Sequence, residues 1–117
     1  MAAGVYNFTI EQGATLTRTF TAYTDADATL PLDLTGYTAR MKIRQDPSAT
    51  VIISLTNGSG ITLGGTAGTI IVVISAAVTT TLDDGYVYRY DLELIAADGA
   101  VTRLVKGLIT VDPEVTS

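Results

Sequence analysis

The chain has 117 residues, with 12 Asp and Glu against 7 Lys and Arg, and a formal net charge of −5. That length allows one domain around one two-layer core, and 47% hydrophobic with only 16% charged residues is not the composition of a disordered chain. The acidic balance argues against wrapping nucleic acid, and the absence of Cys and His removes disulfides, the usual metal ligand and the Ser–His and Cys–His nucleophiles.

Short alternating or apolar runs separated by Gly, Asn, Asp and Pro predict an all-β chain. Residues 1–13 lack both a basic n-region and a long apolar stretch, so no signal peptide is expected. Residues 5–10 read as a first strand with Tyr6, Phe8 and Ile10 on one side. Residues 14–23 read as a second, in which Thr15, Thr17, Thr19 and Thr21 alternate with Leu16, Arg18, Phe20 and Ala22. Arg18 on the apolar side has to lie near an end or snorkel past its neighbours. Residues 24–33 are a polar loop.

The segment 37–44, YTARMKIR, places Tyr37, Ala39, Met41 and Ile43 on one side and Thr38, Arg40, Lys42 and Arg44 on the other. Three of seven cations thus share one strand face. They either keep an outer face solvated and guard an edge, or form a contact for an acidic partner. Residues 50–56 predict a strand with Val51, Ile53 and Leu55 inward. Asn57 to Gly60 is a turn, a short strand follows around Ile61 and Leu63, and Gly64 to Gly68 turns again into 69–74, TIIVVI, an apolar run suited to a central strand. The apolar stretch 69–78 is about ten residues, too short to span a bilayer. Ser75 is placed to cap a helix of one or two turns, with Gly85 ending it.

Residues 86–96 and 100–111 are the last strands. A three-residue loop, Ala97-Asp98-Gly99 with Gly99 left-handed, sets Leu92 opposite Leu104 and Glu93 opposite Arg103, keeping one face apolar and giving an outward ion pair worth ~0.2–1 kcal/mol. The inward parity then shifts after Lys106, which places a bulge at Gly107. Residues 112–117 form a polar tail. The whole reads as a single domain, 1–117: an immunoglobulin-like antiparallel β-sandwich of about seven to nine short strands with one helical turn.

Chemistry is sparse. Asp25 with Asp27, and Asp83 with Asp84, fall short of a calcium loop and read as solvated turn acids. Asp91, Glu93 and Glu11 invite a glycosidase reading, but the alternation puts Asp91 and Glu93 on a charged exterior with Arg89 and Arg103. The glycine-rich turns lack the Lys-Ser/Thr ending of a phosphate loop. Tyr86, Tyr88 and Tyr90 share parity with Leu92 and Leu94; they are either core or a stacking platform for sugars or bases. No catalytic, cofactor or metal site is expected, and the chain is not expected to be an enzyme.

The stretches YNFTIEQGATLTRTFTAY, LDLTGYTARMKIR, ITLGGTAGTIIVVIS and GYVYRYDLELIAADGAVTRLVKGLITVDPEVT resemble a family of small virion proteins of tailed phages, of the cyanophage, marine-myovirus and prophage type. That resemblance covers nearly the whole chain. Phe8–Gly13, Leu16–Phe20 and Asp33–Gly36 are also similar in pattern to the N-terminal domain of phage upper baseplate proteins. The sequence departs from those in stopping at Ser117 with no coiled-coil extension, so it is not expected to hold a receptor-binding fibre directly.

The resemblance implies a non-enzymatic docking module of the virion, on the tail, baseplate or neck. Its implied partners are other virion proteins or further copies of itself, with no nucleic acid and no membrane. The alternatives are a capsid-decorating cement protein, in which case capsid subunits are the partners, and a carbohydrate- or surface-binding module. Arg40, Lys42 and Arg44 are the candidate protein contact.

Overall fold

The computed structural model describes residues 4–24, 30–45, 51–83 and 87–113. Among the described residues nine strands form, with a single turn of α-helix, α1 (Ala76–Thr79), and a 3-10 turn at Gly65–Ala67. The strands are β1 (Gly4–Val5), β2 (Phe8–Glu11), β3 (Leu16–Thr21), β4 (Thr38–Arg44), β5 (Val51–Asn57), β6 (Gly60–Leu63), β7 (Thr69–Ile74), β8 (Val87–Ile95) and β9 (Val101–Asp112). The chain is an all-β sandwich, as the alternation predicts. Its two layers are one sheet curled on itself, in the order β1-β9-β8-β4-β5-β6-β7-β3, with β2 also on β9. The first strand of the sequence reading is broken at Tyr6 and Asn7, and both its halves pair with β9 in parallel.

The curl follows from two features. At Asn57 to Gly60 the chain makes one full tight turn and runs on in the same direction, so that β5 and β6 touch in parallel over two residue pairs. The four-residue turn from β2 to β3 then joins the two ends of the sheet. Arg18 lies at that seam. Its guanidinium leaves the apolar side, reaches 3.5 Å from the Thr9 carbonyl and stands 5.5 Å over the Phe8 ring, which is the snorkelling its parity demands. The Tyr6 ring bridges the same gap, 5.7 Å from both Phe8 and Phe20.

The core fills with the inward set from both layers: Ile10, Met41, Ile43, Ile61, Ile70, Val72, Ile74, Leu92, Leu94 and Ile109 are essentially water-free. Burying a side chain of this size is worth roughly 1.5–3 kcal/mol against leaving it exposed. The helical turn is tied in by one hydroxyl. Thr79, with 0% exposure, accepts from the Gly13 N–H at 3.1 Å and donates to the Ala14 carbonyl at 2.9 Å, holding the β2–β3 turn. Ser75 precedes the helix but its hydroxyl caps nothing; its carbonyl takes the Val78 and Thr79 N–H groups instead. The helix ends at Thr80, short of Gly85, which lies outside the described residues.

The last hairpin forms with the expected loop. Gly99 has φ of 92°, and Ala96 receives the Gly99 N–H at 2.9 Å. Glu93 stands opposite Arg103, but Leu92 stands opposite Val105, so Leu104 is the extra residue of the bulge. The bulge expected at Gly107 is therefore three residues earlier, and the inward parity is already restored at Val105. Gly107 has a different duty. A Cβ there would meet the Tyr6 carbonyl oxygen at 2.0 Å, because the chain between β1 and β2 dips onto β9 at this point.

Tyr88 and Tyr90 of the tyrosine stripe are core. Tyr88 and Tyr90 are 3% and 4% exposed; the Tyr90 hydroxyl donates to the Tyr6 carbonyl at 2.5 Å, and the Tyr88 hydroxyl accepts the Asp83 N–H at 2.8 Å. Their alternation with Leu92 and Leu94 turned all four inward, which removes these two rings from any sugar platform. Tyr86 lies outside the described residues.

Two stability outcomes follow from these contacts. Thr79→Val strands a Gly13 N–H and an Ala14 carbonyl, and chemical denaturation is expected to show a loss of about 1–3 kcal/mol. Burial, with a smaller contribution from Tyr6, pushes the Tyr90 phenol well above its ordinary value. The fold therefore favours the protonated phenol: that stabilisation is complete below the ordinary tyrosine value of about 10 and is lost as pH rises beyond it. Alkaline unfolding monitored by circular dichroism should steepen above pH ~10, and Tyr90→Phe should flatten the slope.

Candidate functional site

Pairing brings together charges that lie far apart in the sequence. Strand β4 is internal, between β8 and β5, so its cations guard no edge. Across β4, β8 and β9 the outward residues form three rows: Arg44, Arg89 and Leu108; Lys42, Asp91 and Lys106; Arg40, Glu93 and Arg103. Six of the seven cations of the chain line this one shallow concavity of about 820 Å³, joined by Asp91, Glu93, Val5 and Asn7.

Six cations against two carboxylates leave the face four charges positive, while the rest of the sequence, one arginine against ten acids, is nine negative. The molecule is thus strongly divided in charge although its net charge is −5.

Within the face, Arg40 Nε donates to Glu93 Oε1 at 2.6 Å and Arg103 Nε lies 3.4 Å from Asp91 Oδ2. The expected outward pair of Glu93 with Arg103 is replaced by a pair across to β4 and a diagonal one within the last hairpin. Diagonal neighbours on a sheet face remain within reach of long side chains. Lys42, Arg89 and Lys106 are exposed and, among the described residues, enter no ion pair. The edge of β1 supplies the apolar rim: Val5 is 70% exposed. Asn7, in the break between β1 and β2, ties that link to the face, its Oδ1 accepting the Leu108 N–H at 2.9 Å in place of a backbone carbonyl.

Arg40, Lys42 and Arg44 therefore do share a face, as their parity requires, and Arg89, Arg103 and Lys106 join them. Sequence alternation gave each strand its outward set but not which strands adjoin. Among the described residues no group of three or more His, Cys, Asp or Glu is placed to hold a metal ion. The pairs considered for calcium involve Asp25, Asp27 and Asp84, which lie outside the described residues. Asp91 and Glu93 lie on the outer face, each held by an arginine. No helix of the described residues is long and apolar enough to cross a membrane.

Compared with protein-family models and with curated proteins, the sequence returns no match to either.

The Arg40–Glu93 pair is half exposed, so its worth is modest. A double-mutant cycle of Arg40→Met with Glu93→Gln should give a coupling of about 0.3–1 kcal/mol, shrinking as salt is added.

Proposed function

We propose that the chain is a non-enzymatic structural component of a tailed-phage virion, a small docking module of the tail, baseplate or neck. The observation that carries the docking part is the gathering of six of seven cations on one internal sheet face of an otherwise acidic molecule. Solubility alone gives no reason for it. Like charges about 10 Å apart repel by ~0.4 kcal/mol in water, and dispersing them over an acidic surface would turn repulsion into attraction. A face of one sign on a body of the other steers association and fixes its orientation.

The virion assignment rests on the resemblance of the sequence to small tailed-phage proteins. The cement-protein reading uses the same face with a capsid subunit as partner. No observation favours the carbohydrate-binding reading, since Tyr88 and Tyr90 are buried.

Mass spectrometry of purified particles of the phage that carries the gene, separated into heads and tails, tests the proposal. The chain is expected in the tail fraction at a fixed stoichiometry. Recovery with heads would move it to capsid decoration, and absence from both fractions would overturn the virion reading.

A further inference from the structure

We infer that the basic face receives an acidic, extended polypeptide segment of its partner, gripped chiefly by Lys42, Arg89 and Lys106; this rests on reading the face as a docking surface. The cations of the face are not equivalent. Arg40 is engaged by Glu93 at 2.6 Å and Arg103 by Asp91 at 3.4 Å, whereas Lys42, Arg89 and Lys106 are exposed and in no ion pair among the described residues. Lys42 and Lys106 flank Asp91 in one cross-strand row, which sets their backbones two strand spacings apart, about 10 Å. Arg89 stands two residues along the middle strand from Asp91, about 7 Å away. The three cations surround one carboxylate that is already held.

The spacing matches an extended chain. Successive rows of the face repeat every second residue, about 7 Å, and that is also the repeat of same-side residues in any extended segment. A segment with acids at alternate positions, laid along the strands, brings a carboxylate over each row, and the apolar rim of Val5 and Leu108 can take a side chain between them.

Nucleic acid fits less well. The ring of Tyr90, the one aromatic lining the face among the described residues, is buried and offers no base a stacking surface.

The test is a titration of the full chain with two labelled probes. One is a nine-residue peptide, the length of β8, with Glu at alternate positions; the other is a thymidine oligonucleotide of equal charge. The peptide is expected to bind, to weaken about tenfold or more between ~20 and ~150 mM salt, and to hold its place on the protein against the oligonucleotide as competitor. Lys42→Ala with Lys106→Ala should abolish binding at an unchanged melting temperature, while Arg40→Ala, which removes a cation already engaged, should weaken it several-fold less.

Equal or tighter binding of the oligonucleotide would overturn the inference, as would peptide binding unaffected by salt or by the folded lysine variants. Peptide failure with the chain present in particles would sink this inference and spare the virion reading. Absence from particles with peptide binding intact would do the reverse.

Discussion

Asp91 sits between Lys42 of one neighbouring strand and Lys106 of the other, and this double register of β8 is the constraint on which the rest depends. Side chains alternate with a period of two, so one register decides both faces at once. As paired, Tyr88, Tyr90, Leu92 and Leu94 enter the core while Arg89, Asp91 and Glu93 line up with the cations of β4 and β9. A slip of one residue would bury three charges and expose four large apolar side chains, which no surface ion pair could offset. The bulge at Leu104 serves the same end. One extra residue in β9 lets Arg103 remain outward opposite Glu93 while Val105 turns inward opposite Leu92.

The core thereby builds the face. Burial of the apolar set fixes the register, the register fixes which charges are neighbours, and the ion pairs Arg40–Glu93 and Arg103–Asp91 then use up two of the cations. What remains is a charge pattern held on the middle of a sheet, where backbone pairing on both sides keeps it rigid. A docking surface benefits from that rigidity, because little side-chain or loop ordering is left to oppose association. The closure of the sheet at Arg18 and Tyr6 keeps the opposite seam covered, and Arg18 is the one cation of the chain away from the face.

Much of this was legible in the sequence. The alternation in 37–44, the apolar run 69–74, the turns at Asn57 to Gly60 and Gly64 to Gly68, and the Ala97-Asp98-Gly99 loop are local signals, and each formed where its chemistry put it. The break at Tyr6 and Asn7 was not legible, because it depends on the close approach to Gly107 from a strand a hundred residues away. Gly107 looked like a bulge because the inward parity shifts along β9; that shift belongs to Leu104, and Gly107 is a glycine required by a neighbour, not by its own strand.

The candidate site was half legible for the same reason. Parity alone placed Arg40, Lys42 and Arg44 together, but their union with Arg89, Arg103 and Lys106 needs the β4–β8 pairing, a long-range contact that no local pattern reports. The tyrosine stripe shows the converse: parity with Leu92 and Leu94 left core and stacking platform both open, and the burial of Tyr88 and Tyr90 decides for core at those two positions.

The most direct measurement uses the chain's two lysines, both of which lie on this face. Zero-length carbodiimide coupling in intact particles joins an ammonium only to a carboxylate in contact with it. If the face is a docking surface, Lys42 and Lys106 are recovered in peptides joined to Asp or Glu of another subunit. If both lysines are recovered unjoined, or joined only to Asp91 beside them, the face is a solvated exterior and the account fails.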